Sequence, residues 1–366
     1  MRNVPRIFLG LAFVIAAGTT AQADIQLDRI SLPDGFRIHL YTDRVDNARG
    51  MVLGDKGTVF VGSRKKGKVY AVRDTDGDHV GDEVVVIARY MDLPVGVAFR
   101  AGALYISAKT KIVRFDDIEN RLDDLPNPVV VRDGFPDKHH GWKNLAFGPD
   151  DKLYFQIGAP CNICNEGADF ATIARMNPDG SDYEVYARGV RNSLGLDWHP
   201  DTGELWFSDN GRDWLGDDLP PDELNHAPRA GMDFGFPYCH GGDIPDPEFG
   251  EGHDCADYTP PAQKLGAHVA ALGMTFYTGD QFPARYRNQI FIAEHGSWNR
   301  SRKSGYRITL VRLDGNRVVS YEPFAQGWLQ DQDNWGRPAA LLVLPDGSLL
   351  VSDDQAGAVY RIVYEG

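Results

Sequence analysis

Apolar and polar positions alternate along this chain in short bursts, each broken by a turn and then resumed. The unit is an apolar strand, a turn of Gly, Pro, Asp or Asn, and a second apolar strand. It occurs over Met51–Gly62, Val97–Ser107, Leu145–Phe155 and Leu196–Phe207, in a longer form from Met274 to Ile292, and again over Leu341–Val351. The flanking runs are rich in Val, Ile, Leu, Phe and Tyr, as half-buried strands are. The turns have a local cause, because Pro sets φ at the first turn position and Asp-Gly supplies the reversal. Further strands follow most copies, at Lys68–Val72, Tyr306–Leu310 and Val359–Val363. The spacing allows four strands per repeat, and no long amphipathic helix is evident. Repeated four-stranded sheets packed radially make a propeller. The predicted fold is therefore all-β: a six-bladed β-propeller with four-stranded antiparallel blades. The early strand Phe36–Leu40 is placed to complete the last sheet and close the ring.

The first residues do not belong to this pattern. Arg2 and Arg6 precede an apolar run from Ile7 to Ala17, and Ala21-Gln22-Ala23 stands before Asp24. That order reads as a secretory signal peptide over 1–23. The run is shorter than the about 20 residues a membrane span needs. Residues 24–366 are then expected to form a single propeller domain, periplasmic or secreted, with no membrane span after cleavage.

Charge narrows the function. The formal net charge is −14, and loss of Arg2 and Arg6 makes it more negative still. So acidic a chain argues against nucleic acid, since phosphate contacts need Lys and Arg. Four cysteines, Cys161, Cys164, Cys239 and Cys255, are expected to be oxidised in an exported protein. They permit three pairings, of which the near-neighbour one is Cys161–Cys164 with Cys239–Cys255. A redox or zinc role for the C-x-x-C is the alternative.

Candidate chemistry gathers where loops meet the repeats. His140, just before the third repeat, is a candidate general base. Arg191-Asn192, just before the fourth, offer a forked cation and an amide. The acidic stretch Asp209–Asn225 suits Ca²⁺, which takes many hard oxygens. Glu294–Arg300 leaves the fifth repeat and Trp335–Pro338 enters the sixth. Each has a plainer reading as hydrogen-bonded or solvated loop. Asp74–Asp82 is similar to a calcium loop but lacks Gly at its sixth position and Glu at its twelfth, where Val85 stands, so it reads as an acidic turn. The long loop Trp214–Pro261 carries aromatics and two cysteines, and is expected to be ordered.

In their order, His140 before the third repeat, Arg191-Asn192, and Asp222-Glu223 with Asn225 resemble the PQQ-dependent glucose/sorbosone dehydrogenase family (PQQ, pyrroloquinoline quinone). Gly211–Asn225, Phe234–Gly242 and Glu294–Arg300 look like its sorbosone and pyranose dehydrogenase branch. The resemblance implies a six-bladed propeller that binds PQQ and Ca²⁺ and oxidises an aldose or related aldehyde. It implies that His140 takes the hydroxyl proton while hydride moves to the quinone. Contacts to the cofactor would come from Arg49, Arg191, Asn192, Asn210, His268, Trp298, Arg300 and Arg337. The carbonyls of Gly211 and Arg212 would hold the PQQ-bound Ca²⁺, and Asp222 and Glu223 a second one. The chain departs from the pattern at Trp335, where glucose-oxidising relatives have arginine. It also has no clean counterpart of the family's PQQ-binding lysine, for which Arg300, Arg302 and Lys303 are the substitutes at hand. The electron acceptor, a quinone or cytochrome, is left open. Two other readings are a calcium-dependent lactonase on the same fold and a non-catalytic propeller that binds glycans or proteins.

Overall fold

A computed structural model describes residues 24–366; the expected signal peptide lies outside the described residues. Six four-stranded antiparallel sheets stand around an axis. Blade one is Ala48–Leu53, Val59–Ser63, Val69–Arg73 and Glu83–Ala88; blade two is Val97–Arg100, Ala103–Ser107, Ile112–Phe115 and Val129–Arg132. Blade three is Ala146–Phe147, Leu153–Ile157, Thr172–Met176 and Glu184–Arg188; blade four is Gly195–Trp198, Leu205–Asp209, Pro221–Ala227 and Gln263–Ala267. Blade five is Ala271–Phe276, Ile290–Glu294, Arg307–Asp314 and Arg317–Gln326. Blade six is Pro338–Val343, Leu349–Asp353 and Ala358–Tyr364, completed by the early strand Phe36–Thr42. That strand runs antiparallel to the last one, with Phe36 opposite Tyr364 and Ile38 opposite Ile362. The expected ring closure is therefore present. The helical segments among the described residues are single 3₁₀ turns.

The second strand of each blade is buried along its length, as in Val59–Ser63, Leu205–Asp209 and Leu349–Asp353. Such strands face a neighbouring sheet on both sides, which is why they read as continuous apolar runs. The core is accordingly divided between blades. Phe60, Val69 and Ala71 of blade one pack on Leu104, Ile106 and Val113 of blade two. Leu310 and Ile308 of blade five join Val351, Tyr360 and Ile362 of blade six. The turn in the sixth repeat shows the local logic: Gly347 sits at φ +81, and its N–H donates to the Leu344 carbonyl at 2.9 Å. A side chain there would strike the backbone of Gln281.

Between the last two strands of blade four the chain makes an ordered excursion. It adds Met232–Asp233 as a parallel fifth strand beside Glu184–Arg188 of blade three. It then forms a hairpin of Cys239–His240 and Ile244–Pro245, fastened by the Cys239–Cys255 disulfide. Cys161 and Cys164 form the other disulfide. Both near-neighbour pairings are thus as expected.

The antiparallel order of each blade places the site. The start of the first strand, the end of the second, the start of the third and the end of the fourth lie at one end of the ring. Loops that enter a blade and loops that follow its second strand therefore share a single mouth.

Candidate active site

That mouth holds a cavity of about 320 Å³ on the axis. Of the residues expected at the site, Arg49, His140, Arg191, Asn192, Asn210, Gly211, Asp222, His268, Trp298 and Arg337 line it. They come from five of the six blades or the loops entering them.

His140 has a left-handed backbone, φ 50, and is buried. Its Nδ1 lies 2.8 Å from the Ala159 carbonyl. A carbonyl can only accept, so Nδ1 carries the proton and donates, and Nε2 keeps its lone pair. Burial, and then the nearby Arg191 charge, hold the imidazole well below its usual range. His140 is thus a neutral base with one free nitrogen.

Arg191 is held on every side. Its Nε and Nη2 donate to the carbonyl and side-chain oxygens of Asn162 at 2.8 and 2.9 Å, and Nη1 donates to the Asn210 carbonyl at 3.1 Å. Asn162 lies inside the Cys161–Cys164 loop, so that disulfide clips the residue that aims Arg191. Asp209 supports the same region from below, accepting from the backbone N–H of Arg191 at 2.8 Å and of Asn192 at 2.6 Å. Burial, reinforced by Glu223 directly opposite on the next strand, pushes the Asp209 carboxyl up to about 8. Asn192 Oδ1 accepts from the Trp142 indole at 3.0 Å. Asn210 Nδ2 donates to the carbonyls of Asn192 and Ala271.

The opposite wall joins blade one to blade six. Arg49 Nη2 meets Asp354 Oδ2 at 2.7 Å, and His295 Nε2 donates to Asp354 Oδ1 at 2.8 Å. Burial alone would raise Asp354, but Arg49 and His295 hold its carboxyl well below the usual range. Burial pushes the His295 imidazole down to about 3. Arg337 reaches the carbonyls of His295 and Gly296, both at 3.4 Å, and lies 5.8 Å from the centre of the Tyr306 ring.

Other partners hold several of the expected side chains, and Arg212, Glu223 and Arg300 do not line the cavity. The Arg212 guanidinium pairs with Asp246 at 2.6 Å and Glu248 at 2.9 Å, and so anchors the long excursion. Asp222 and Glu223 are neighbours on one strand and point to opposite faces. Asp222 accepts from Gly211 N at 2.9 Å, and burial pushes it up to about 7. Glu223 accepts from Gly241 N at 2.7 Å and from Asn225 at 3.0 Å. Arg300 donates to the Asp217 carbonyl at 2.7 Å, and Lys303 to Asn334 at 2.8 Å. Neither they nor the exposed Arg302 lines the cavity. Trp335 is buried and donates to the Gly327 carbonyl. His268 donates from Nε2 to the Gly216 carbonyl at 2.8 Å.

Arg64 was not anticipated from the sequence. It lines the cavity with its guanidinium 4.7 Å from the centre of the Trp142 ring. Burial lowers it to about 10. The signal was positional: Arg64 follows the second strand of blade one, as Asn210 and His295 follow theirs.

The electrostatic balance tests what could bind. Among the described residues, neither Arg64 nor Arg337 has a carboxylate within ion-pair distance, and the buried Arg49 Nε has no partner. Arg64 and Arg337 are half-buried, and partly desolvated cations without a counter-charge favour an anion. A planar, anionic quinone such as PQQ fits the wall they form. For Ca²⁺ the oxygens at hand are those of the turn from Asn210 to Asp213 and of Asp222. The one group of three acids spaced for a metal among the described residues is Asp74, Asp76 and Asp78, outside the cavity. Their carboxylates also accept N–H groups of their own turn, as Asp74 does from Gly77 and His79. A cation in the cavity would therefore depend on backbone carbonyls and on the ligand's own oxygens.

Comparison with known proteins agrees with this architecture. A family model described as TrAA12-like matches residues 30–365. An "Uncharacterized protein" of Borreliella burgdorferi is 33% identical over 369 aligned residues, covering 96% of this chain and 95% of that one. Among solved structures, the holo form of the pyranose dehydrogenase PQQ domain from Coprinopsis cinerea superposes with a TM-score of 0.77 at 19% identity, covering 91% of this chain and 97% of that one. The calcium structure of the Trichoderma reesei carbohydrate-active enzyme of family AA12 gives 0.80 at 17% identity, covering 94% and 99%. At such identities these two structures establish the shared fold.

Proposed function

We propose that this chain, which belongs to the TrAA12-like family, is a PQQ-dependent dehydrogenase acting on an aldose sugar or a related hemiacetal. The observation that carries the reading is His140: a buried, neutral imidazole whose free Nε2 shares a cavity with two arginines lacking carboxylate partners. The holo PQQ domain of the Coprinopsis cinerea enzyme, built on the same fold, supports it.

In this reading His140 Nε2 accepts the proton of the sugar's anomeric hydroxyl, and Nδ1 stays fixed on Ala159. Arg64, Arg337 and Arg49 bind the cofactor's negative charge, while Arg191 and Asn192 orient it from the other wall. Asn210, His268 and Trp298 complete the enclosure. When bound, PQQ supplies a quinone that takes up the hydride. Ca²⁺ is assigned to the carbonyls of Gly211 and Arg212, where it would polarise the bound quinone. Asp222 and Glu223 remain candidates for separate metal contacts, since they face opposite ways. The segment 1–23 directs export, and 24–366 acts as one periplasmic or secreted unit that hands electrons to a quinone or cytochrome. No helix among the described residues is long and apolar enough to cross a membrane.

A calcium-dependent lactonase would need a metal caged by side chains at the ring centre. The described residues offer no such group of acids in the cavity. The decisive experiment titrates PQQ with Ca²⁺ into purified protein, following absorbance, the thermal midpoint and dye reduction with a panel of aldoses. A spectral change with aldose-dependent reduction is expected. Neither spectral change nor thermal stabilisation would end the proposal.

A further inference from the structure

Two indoles stand out of the protein at the rim of the cavity. Trp214 is 65% exposed and Trp298 67%, and their rings meet edge to face at 5.3 Å. Trp298 lines the cavity, while Trp214 lines a side groove next to it, shared with Asp217, Asn299 and Ser301. The two rings thus form a ridge between the main cavity and the groove.

Trp214 is also held in an unfavourable conformation. Its backbone is left-handed at φ 73, which a bulky residue rarely adopts unless its surroundings enforce it. The enforcement is visible on both sides. Asn162 Nδ2 donates to the Asp213 carbonyl at 3.1 Å, and His268 Nε2 to the Gly216 carbonyl at 2.8 Å. Arg300 donates to the Asp217 carbonyl at 2.7 Å, and Ser301 N to Asp217 Oδ1 at 2.9 Å. The loop is fastened on both sides of Trp214, so the exposed indole keeps its place beside Trp298 at the rim, and adjoining exposed apolar rings mark a surface suited to contact. The groove also contains an unmet donor: Asn299 Nδ2 is buried with no hydrogen-bond partner.

We infer that Trp214, Trp298 and Asn299 form a second carbohydrate subsite, and that the substrate is the reducing end of an oligosaccharide of two or more rings. This deepens the sugar dehydrogenase reading and rests on it. A pyranose ring has an apolar face that lies on an indole and hydroxyls at its edge that accept from an amide. The ring being oxidised occupies the cavity beside His140. The next ring lies on the tryptophan ridge, and its hydroxyl takes the Asn299 amide. This also gives Arg300 a role at the rim: it positions Trp214 through the Asp217 carbonyl.

The test compares glucose with maltose and cellobiose, xylose with xylobiose, and galactose with galactobiose. Dye reduction is measured in PQQ- and Ca²⁺-loaded protein, alongside calorimetric titration of the same sugars into protein without PQQ. At least one disaccharide is expected to show KM and Kd about tenfold below its own monosaccharide, the size of one good aromatic contact. Trp214→Ala should erase that ratio and Trp214→Tyr should keep most of it. If monosaccharides are oxidised but no disaccharide gains, or the gain survives Trp214→Ala, the subsite is refuted and the dehydrogenase reading stands. If no sugar is oxidised but disaccharides bind in a Trp214-dependent way, the subsite stands and the dehydrogenase reading falls. If disaccharides neither bind nor react better than monosaccharides, the subsite falls.

Discussion

Arg49 of blade one and Asp354 of blade six meet at 2.7 Å, and His295 of blade five donates to the same carboxylate. Three consecutive blades therefore share one buried charge at the wall of the cavity. Removing the carboxylate leaves Arg49 buried and unpaired, which costs far more than a surface ion pair is worth. Asp354→Asn is expected to lower stability by about 3–5 kcal/mol, read as a lower midpoint in denaturant.

His140 is expected to carry the proton transfer. His140→Ala should lower turnover by about 10²- to 10⁴-fold while PQQ still binds, as followed by its absorbance. An equal loss of PQQ affinity would assign His140 to binding instead.

The same imidazole sets a pH signature. Burial lowers its pKa, so the neutral form persists below the ordinary histidine value of 6.5, and activity should fall only on the acid side of it. Asp209 behaves oppositely. Its carboxyl is raised from 3.8 to about 8, so across that window the folded protein binds a proton the unfolded chain has lost. Stability is then lost as pH rises through the window. Between about pH 5 and about pH 8, the wild-type thermal midpoint should fall more than that of Asp209→Asn.

Asn162 makes two bonds to Arg191 and brackets Asp213 through its amide and oxygen. Asn162→Ala retains the backbone carbonyl but loses the side-chain contacts. It should cost about 1–3 kcal/mol and weaken PQQ binding about tenfold. Reducing the Cys161–Cys164 disulfide should act in the same direction, measurable by titration with and without a thiol.

Chelation separates the metal's two possible roles. Since the described residues offer no cage of acids in the cavity, removing Ca²⁺ with a chelator should abolish PQQ-dependent activity and weaken PQQ binding, with little change in the midpoint of the PQQ-free protein. A large drop in that midpoint would show a structural metal instead.

The repeats were readable because their causes are local: Pro345-Asp346-Gly347 turns the chain by itself, and the strands beside it are apolar because sheets cover both faces. His140 and Arg191-Asn192 were readable for a related reason, since they enter a blade at the mouth. Asp354, Asn162 and Arg64 were not. Their partners lie in other blades, Asp354 some three hundred positions along the chain from Arg49, and no periodicity relates them. The pair Asp222-Glu223 shows the opposite difficulty. Adjacent acids look like one site in a sequence, whereas a strand sends them to opposite faces. The resemblance points to the Arg212 carbonyl, but its guanidinium serves the excursion fastened by Cys239–Cys255.

The pairing of Phe36–Thr42 with Ala358–Tyr364 has a consequence in time. A ribosome makes Arg49 some three hundred residues before Asp354, so the wall of the cavity stays unfinished until the second strand of blade six has followed the other five blades. Blades one to five precede it in the chain, but until Asp354 is made Arg49 lacks its carboxylate partner. A fragment broken off before Asp353 is therefore expected to have blades but an incomplete cavity wall, and to bind no PQQ in an absorbance titration.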